Sequence, residues 1–264
     1  MKQATYMTTS WDDGHPLDLR IAELLTKYGL HGTFYVPVTA ENGTMTATQL
    51  RELSRAFEIG AHTLRHAVLT SATEQQAWQE IAGSKAWVED NTGLACLMFC
   101  PPNGKHSGRH LEMVRKAGYL GLRSVELVSL DFPRLKAGIR LLPTTIQAHP
   151  HGVLAFARNA IRRTAFENLW RYIAHGRSTD WPKLARAFLC QGLECGGVFH
   201  LWGHSWEVQQ TGQWQRLDEV LRFMGEFASE APSITNGQLC QQSPPQIAPV
   251  DETGSKGETI RSVQ

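Results

Sequence analysis

Strand-like and helical patterns alternate along this chain, which predicts an α/β fold. The expected core is a parallel sheet wound by right-handed crossovers, open or closed into a barrel. Seven strand-like runs occur, at residues 4–9, 33–37, 57–61, 97–100, 120–124, 141–146 and 197–202. Helical patterns fall between them at 17–28, 46–56, 73–90, 107–116 and 153–174, and another begins near Thr179. The 264 residues, 42% hydrophobic, suffice for one large domain with a substantial core.

The first run leads into Thr9-Ser10-Trp11-Asp12-Asp13-Gly14, and Pro16 suits the start of a helix. Adjacent residues leaving a strand point in different directions. One carboxylate can therefore hold a cation while the other stays free as a base. The third run ends in Gly60-Ala61-His62-Thr63-Leu64-Arg65-His66. Histidines four apart on a turn present both rings on one side. In a parallel α/β barrel the carboxyl ends of all strands converge on one rim. Two imidazoles and a carboxylate meeting there keep positions open for water, as catalytic zinc sites do.

The fourth run ends in Phe99-Cys100-Pro101-Pro102-Asn103-Gly104, a rigid turn able to aim the backbone N–H of Asn103 at an oxyanion. The long 153–174 segment carries Arg158, Arg162, Arg163 and Arg171; it reads as a solvated helix face, with contact to an anionic substrate as the second reading. The last run continues as Phe199-His200-Leu201-Trp202-Gly203-His204-Ser205-Trp206-Glu207. His200 lies inside the strand, whereas His204 follows its end and is the better candidate for a group titrating near neutral pH. Trp202 and Trp206 suit either packing or a platform for a sugar ring. Beyond them, Leu217, Val220, Leu221, Met224 and Phe227 recur at helical spacing in 213–229 and read as core.

A formal net charge of +1 makes no bulk electrostatic case for nucleic acid. No apolar run is long enough to span a membrane. Five cysteines at irregular spacing read as free thiols, and the N-terminus carries no apolar signal region, so a cytoplasmic location is expected. After Ala231 the chain turns rich in Pro, Gln, Ser, Thr and Gly. The expected domain is therefore 1–231, with a disordered tail at 232–264.

Ser10-Trp11-Asp12-Asp13-Gly14, His62-Thr63-Leu64-Arg65-His66, the Phe-x-Pro-Pro-x-Gly turn and a last strand ending in histidine occur in the order seen in polysaccharide deacetylases. Over roughly residues 6–227 the chain resembles that family, the NodB homology domain of carbohydrate esterases. The resemblance implies a distorted (β/α) barrel of seven strands. It also implies a divalent metal, usually Zn2+ with Co2+, Ni2+ or Mn2+ as alternatives, and hydrolysis of the N-acetyl group of an amino sugar. By position, Asp12 would be the general base and Asp13, His62 and His66 the metal ligands. His204 would be the acid that protonates the leaving amine, and the Asn103 N–H would help hold the oxyanion.

Two departures mark a divergent member. Cys100 stands where the family commonly has an arginine that pairs with the catalytic aspartate, and Arg65 or Lys105 is the expected substitute. No aspartate–tryptophan pair that would tune the acid histidine is found; a substitute would come from Pro143-Thr144-Thr145-Ile146-Gln147, at the end of the sixth run. The substrate is expected to be an N-acetylated sugar or small amide. A cyclic ureide hydrolase and a sugar-binding pseudoenzyme are the competing readings.

Overall fold

The computed structural model describes residues 3–242. Its sheet contains nine strands: β1 (Thr5–Asp12), β2 (Thr33–Val36), β3 (Glu58–Ala61), β4 (Met98–Phe99), β5 (Gly121–Arg123), β6 (Arg134–Lys136), β7 (Ile139–Leu142), β8 (Ile146–Gln147) and β9 (Gly197–Gly203). They lie in the order β6-β7-β5-β4-β3-β2-β1-β9-β8. Every pairing is parallel except β6 with β7. The two longest strands, β1 and β9, are buried almost throughout, as parallel strands covered on both faces must be.

The two ends of that order are joined through one short stretch of chain. β7 pairs with β5 and β8 with β9, and only Pro143, Thr144 and Thr145 separate β7 from β8. The run expected at 141–146 is thus a broken strand: its second half, β8, is one edge of the sheet, and its first half, β7, lies next to the strand at the other edge. Thr145 continues the seam by donating its N–H to the His200 carbonyl at 3.0 Å. Pro143 has no N–H to offer a ladder, so the break falls there. The result is a curled sheet with seven strand positions, consistent with a distorted (β/α) barrel.

The unexpected strand, β6, forms a hairpin with β7 through Ala137 and Gly138, at φ 50° and 75°. Two left-handed residues make the tight turn that suits a twisted hairpin, and Ala-Gly signals it weakly.

Ten helices complete the described residues: α1 (Asp18–Lys27), α2 (Ala47–Leu53), α3 (Glu74–Thr92), α4 (Gly108–Lys116), α5 (Val153–Arg162), α6 (Phe166–Ala174), α7 (Trp181–Cys195), α8 (Ser205–Gln210), α9 (Trp214–Glu226) and α10 (Asn236–Gln241). Capping boxes Thr46/Gln49, Thr73/Gln76 and Ser107/His110 open α2, α3 and α4. Each satisfies backbone donors that would otherwise be orphaned at the helix start. The helix expected over 153–174 is two helices, because Thr164 adopts φ 53° between α5 and α6. In α9, Leu217, Val220, Leu221 and Met224 are buried in the core as their spacing predicts, whereas Phe227 is partly covered.

The expected tail needs correction. Ser233 bridges to Met7 of β1, and Thr235 with Gln238 caps α10. Leu239 and Cys240 join a buried cluster with Tyr35, Met98 and Val198. Asn236 accepts from Thr8 Oγ1 at 2.8 Å and donates to the Tyr35 hydroxyl at 2.9 Å. The folded unit therefore extends past 231 to at least 242, and the remainder of the expected tail, 243–264, lies outside the described residues.

Candidate active site

The carboxyl ends of β1, β3 and β9 place the chemistry on one rim. Asp12 closes β1 and Asp13 follows in a left-handed conformation, φ 76°. His62 follows β3, and the loop to His66 passes through φ 63° at Thr63 and 52° at His66 itself. Non-glycine residues held there cost free energy, and such outliers gather where the surroundings over-determine a functional geometry. Gly14 has no such freedom to give up: at φ 60°, a Cβ on it would sit 2.5 Å from Val36 Cγ1. Buried Glu80 ties the histidine loop down by accepting from the Leu64 and Arg65 amides at 2.8 and 3.0 Å.

Asp13, His62 and His66 bring one ligand atom each within 4.8 Å of one another. Asp13 Oδ1 lies 3.4 Å from His62 Nε2 and 3.1 Å from His66 Nε2, yet it is buried with no hydrogen-bond partner. An orphaned carboxylate oxygen facing two imidazole nitrogens fits a divalent cation of the N/O-ligated kind. His62 Nδ1 sits 2.7 Å from the Cys100 carbonyl. A carbonyl only accepts, so that nitrogen carries the proton and Nε2 keeps its lone pair for the cluster. The other Asp13 oxygen, Oδ2, accepts from Trp206 Nε1 at 2.8 Å. Burial opposes ionisation of Asp13, but His62 and His66 hold its carboxyl far below the usual range. A second cluster of Asp12, His62 and Cys100 is a weaker cation site, because burial pushes the Cys100 thiol well up and keeps it protonated.

Asp12 is ion-paired to Arg123, which ends β5 and is fully buried. Burial alone would raise the Asp12 carboxyl, yet Arg123, His62 and His204 hold it below the ordinary value. Neither expected substitute for the arginine fills the role. Arg65 pairs with Glu80 at 2.9 Å, and Lys105 lines a separate cavity. The guanidinium reaches Asp12 from the neighbouring strand instead. The signal was available in the sequence: a charge inside the apolar run ending in Leu122-Arg123-Ser124 is buried only when paired.

His204 caps α8, with Nε2 3.9 Å from Asp12 Oδ2 and Nδ1 2.6 Å from Glu207 Oε2. Burial works against its charge, but Glu207 and the two aspartates raise its pKa to about 9. Glu207 in turn accepts from Gln147 Nε2 at 2.9 Å. The support for this histidine thus comes from its own helix, with only a helper from the sixth run. His200 is different. Fully buried, it bonds Ser10 Oγ at 2.9 Å and the Pro143 carbonyl at 3.0 Å, and burial lowers its pKa to about 3, so it stays neutral.

The platform reading of Trp202 also needs correction. The ring is 6% exposed, with the Arg123 guanidinium 4.7 Å from its centroid, so it packs under the arginine rather than facing a sugar. Trp206, partly exposed and tilted against His204 at 5.5 Å, is the aromatic that borders the opening. Asn103 adopts φ 57° in the turn after β4 and is exposed at the edge of a cavity that it shares with Lys105, Ser124 and Arg163.

Residues 2–122 match a family model described as Polysaccharide deacetylase. No curated protein sequence matches the chain. A Mycobacterium smegmatis protein described as a polysaccharide deacetylase is 16% identical, with a TM-score of 0.66 over 98% of this chain and 96% of that one. A structure named T48 deacetylase with substrate is 15% identical, with a TM-score of 0.52 over 90% of each chain. A CE4 family pseudoenzyme from Bacillus anthracis is 14% identical, with a TM-score of 0.53 over 90% of this chain and 66% of that one. The matched segment carries Asp12, Asp13, His62 and His66, and the sheet that holds them has the fold of these structures. The family match covers residues 2–122, a little under half of the chain, and the solved structures share its fold.

Proposed function

We propose that this chain is a divalent-metal-dependent hydrolase that removes the N-acetyl group from an amino sugar or an N-acetylated glycoconjugate precursor. One observation carries the reading: two proton-transfer groups of opposite charge, Asp12 and His204, stand 3.9 Å apart beside the Asp13–His62–His66 cluster. When bound by those three residues, a divalent metal, most readily Zn2+, polarises the amide carbonyl and acidifies water next to it. Asp12, held ionised by Arg123, accepts the proton of the attacking water at Oδ2, the oxygen facing His204. The Asn103 N–H, aimed by the two prolines before it, donates to the developing oxyanion. His204, kept protonated by Glu207, delivers its proton from Nε2 to the leaving amine. Trp206 orients the Asp13 carboxylate through its indole N–H.

The intact set of ligands and proton-transfer groups argues against a pseudoenzyme. Five free cysteines fit a reducing, cytoplasmic location. The test is acetate release from N-acetylated sugars by protein stripped of metal and then reloaded with Zn2+ or Co2+, run beside ammonia release from allantoin. Metal-dependent acetate release is expected, with Asp12→Asn lowering it by roughly 10²–10⁴-fold. Turnover of the ureide alone would move the chain to the cyclic-amide reading, and glycan binding without turnover of either would make it a binding protein.

A further inference from the structure

The cavity that Asn103 and Lys105 line, of about 1130 Å3, lies at the carboxyl ends of β4, β5 and β7, on the same rim as the candidate active site. Asn103 and Gly104 form its near edge, and Ser124, next to Arg123, lies on its wall. Helix α5 and the turn after it roof it. Six cationic side chains line this space: Lys105 after β4, Arg134 and Lys136 from β6, and Arg158, Arg162 and Arg163 from the α5 region. The lining contains one carboxylate, Glu126, and it is taken by Arg134 at 2.6 Å. None of the other five cations makes an ion pair among the described residues.

Against a net charge of +1 for the whole chain, that is a strong local excess of positive charge. Like charges gathered from three separate segments repel one another, and the walls lower the local dielectric, so an anion gains most where they meet. Arg163 makes the cost visible, since burial lowers its pKa, and its guanidinium reaches the Gly104 carbonyl at 3.3 Å, beside Asn103.

We propose that this cavity is a subsite for a phosphate or diphosphate group carried by the N-acyl sugar that the neighbouring site deacylates. Arginines and lysines are the residues that recognise phosphoryl oxygens, through bidentate or point-charge contacts. The proposal rests on the deacetylase reading for the sugar but not for the anion site itself. Helices α5 and α6 also expose Leu154, Ile161, Phe166 and Trp170, so both a soluble and a lipid-linked sugar phosphate need testing.

Inorganic pyrophosphate titrated calorimetrically into metal-free full-length protein reads the subsite without catalysis. Arg158→Glu/Arg162→Glu, two exposed positions, is expected to weaken its binding at least tenfold, while Asp13→Asn leaves binding unchanged. Equal binding to wild type and the charge-reversed variant, or none to wild type, overturns the proposal. In metal-loaded enzyme, kcat/KM for N-acetylglucosamine 1-phosphate is expected to exceed that for N-acetylglucosamine at least tenfold, and the charge-reversed variant to lose that preference alone. A preference seen only for a polyprenyl-phosphate-linked N-acetyl sugar in phosphatidylcholine vesicles would place the phosphate on a lipid. No preference for either phosphorylated substrate, despite pyrophosphate binding, also overturns the proposal. No acetate from any substrate would count against the deacetylase reading, and the pyrophosphate titration would still decide the subsite.

Discussion

Arg123 shows how one residue can take over a role across strands. Cys100 has too short a side chain to carry a charge to Asp12, and its thiol contacts Asp12 Oδ2 at 3.9 Å. The room this leaves beside the aspartate admits a guanidinium from β5, stacked over Trp202 and near the Tyr35 ring at 5.3 Å. Removing it by Arg123→Ala leaves Asp12 buried without its main cation, which costs about 3–5 kcal/mol as in other broken buried pairs. Because Asp12 is depressed in the folded chain, its contribution to stability is present above the unfolded carboxyl pKa and lost as pH falls through the folded value. The expected outcome for Arg123→Ala is therefore a lower unfolding midpoint in urea at pH 7 and an acid limb of activity moved to higher pH. Cys100→Arg/Arg123→Ala should recover part of both; no recovery would mean that β4 and β5 are not interchangeable supports for this carboxylate.

At the scale of elements, α8 joins the proposed acid and its orienting group in one turn. His204 at its cap and Glu207 three residues on face the same side, so the helix itself sets the 2.6 Å contact. A histidine raised to about 9 keeps its proton through neutral pH, and the stability it adds is full below about 6.5 and lost as pH rises through 9. Glu207→Gln removes the charge and keeps the shape. We expect the alkaline limb of kcat/KM to move to lower pH, with the metal content of the protein unchanged. An unshifted limb would take the acid role away from His204. The same scale explains the misread long helix. Residues 153–174 keep an apolar period throughout, but Ala160 and Tyr172 can both face the core only if the chain turns at Thr164.

For the whole molecule, closure of the barrel and the position of the last helix matter most. The broken strand β7–β8 joins edges that no single straight strand could reach, and α10 covers the sheet from below. Ending the chain after Ala231 would strip Leu239 and Cys240 from a buried cluster and leave Thr8 and Tyr35 without their Asn236 partner. At about 2 kcal/mol for a buried large apolar side chain and 1–3 for each orphaned polar group, the loss reaches several kcal/mol. A chain ended at Gln242 should thus melt well above one ended at Ala231, by calorimetry. Equal melting temperatures would show α10 to be dispensable.

Much of this was legible in local pattern. Strand ends carrying Asp12-Asp13 and His62…His66, the Pro-Pro turn and the periodic α9 each declare themselves within a few residues, because strand alternation, helical spacing and turn chemistry act at that range. The choice of His204 over His200 was also local in origin, a residue beyond the strand end against one within it. A charge inside the fifth run signalled that Arg123 needs a buried partner, but that the partner is Asp12 was not legible, since 111 residues separate the two and only the placing of β5 in the sheet brings them together. Nor was the fate of the residues after Ala231, whose polar composition looked like tail until Asn236 met Thr8 and Tyr35. The sequence by itself determined the α/β class and pointed to the Asp13, His62 and His66 cluster and to Asp12 and His204 as the proposed proton-transfer pair. Tertiary structure alone decided which cation tunes the base, where the fold ends and how unpaired positive charge gathers beside the site, because those depend on contacts between segments that sequence spacing does not encode.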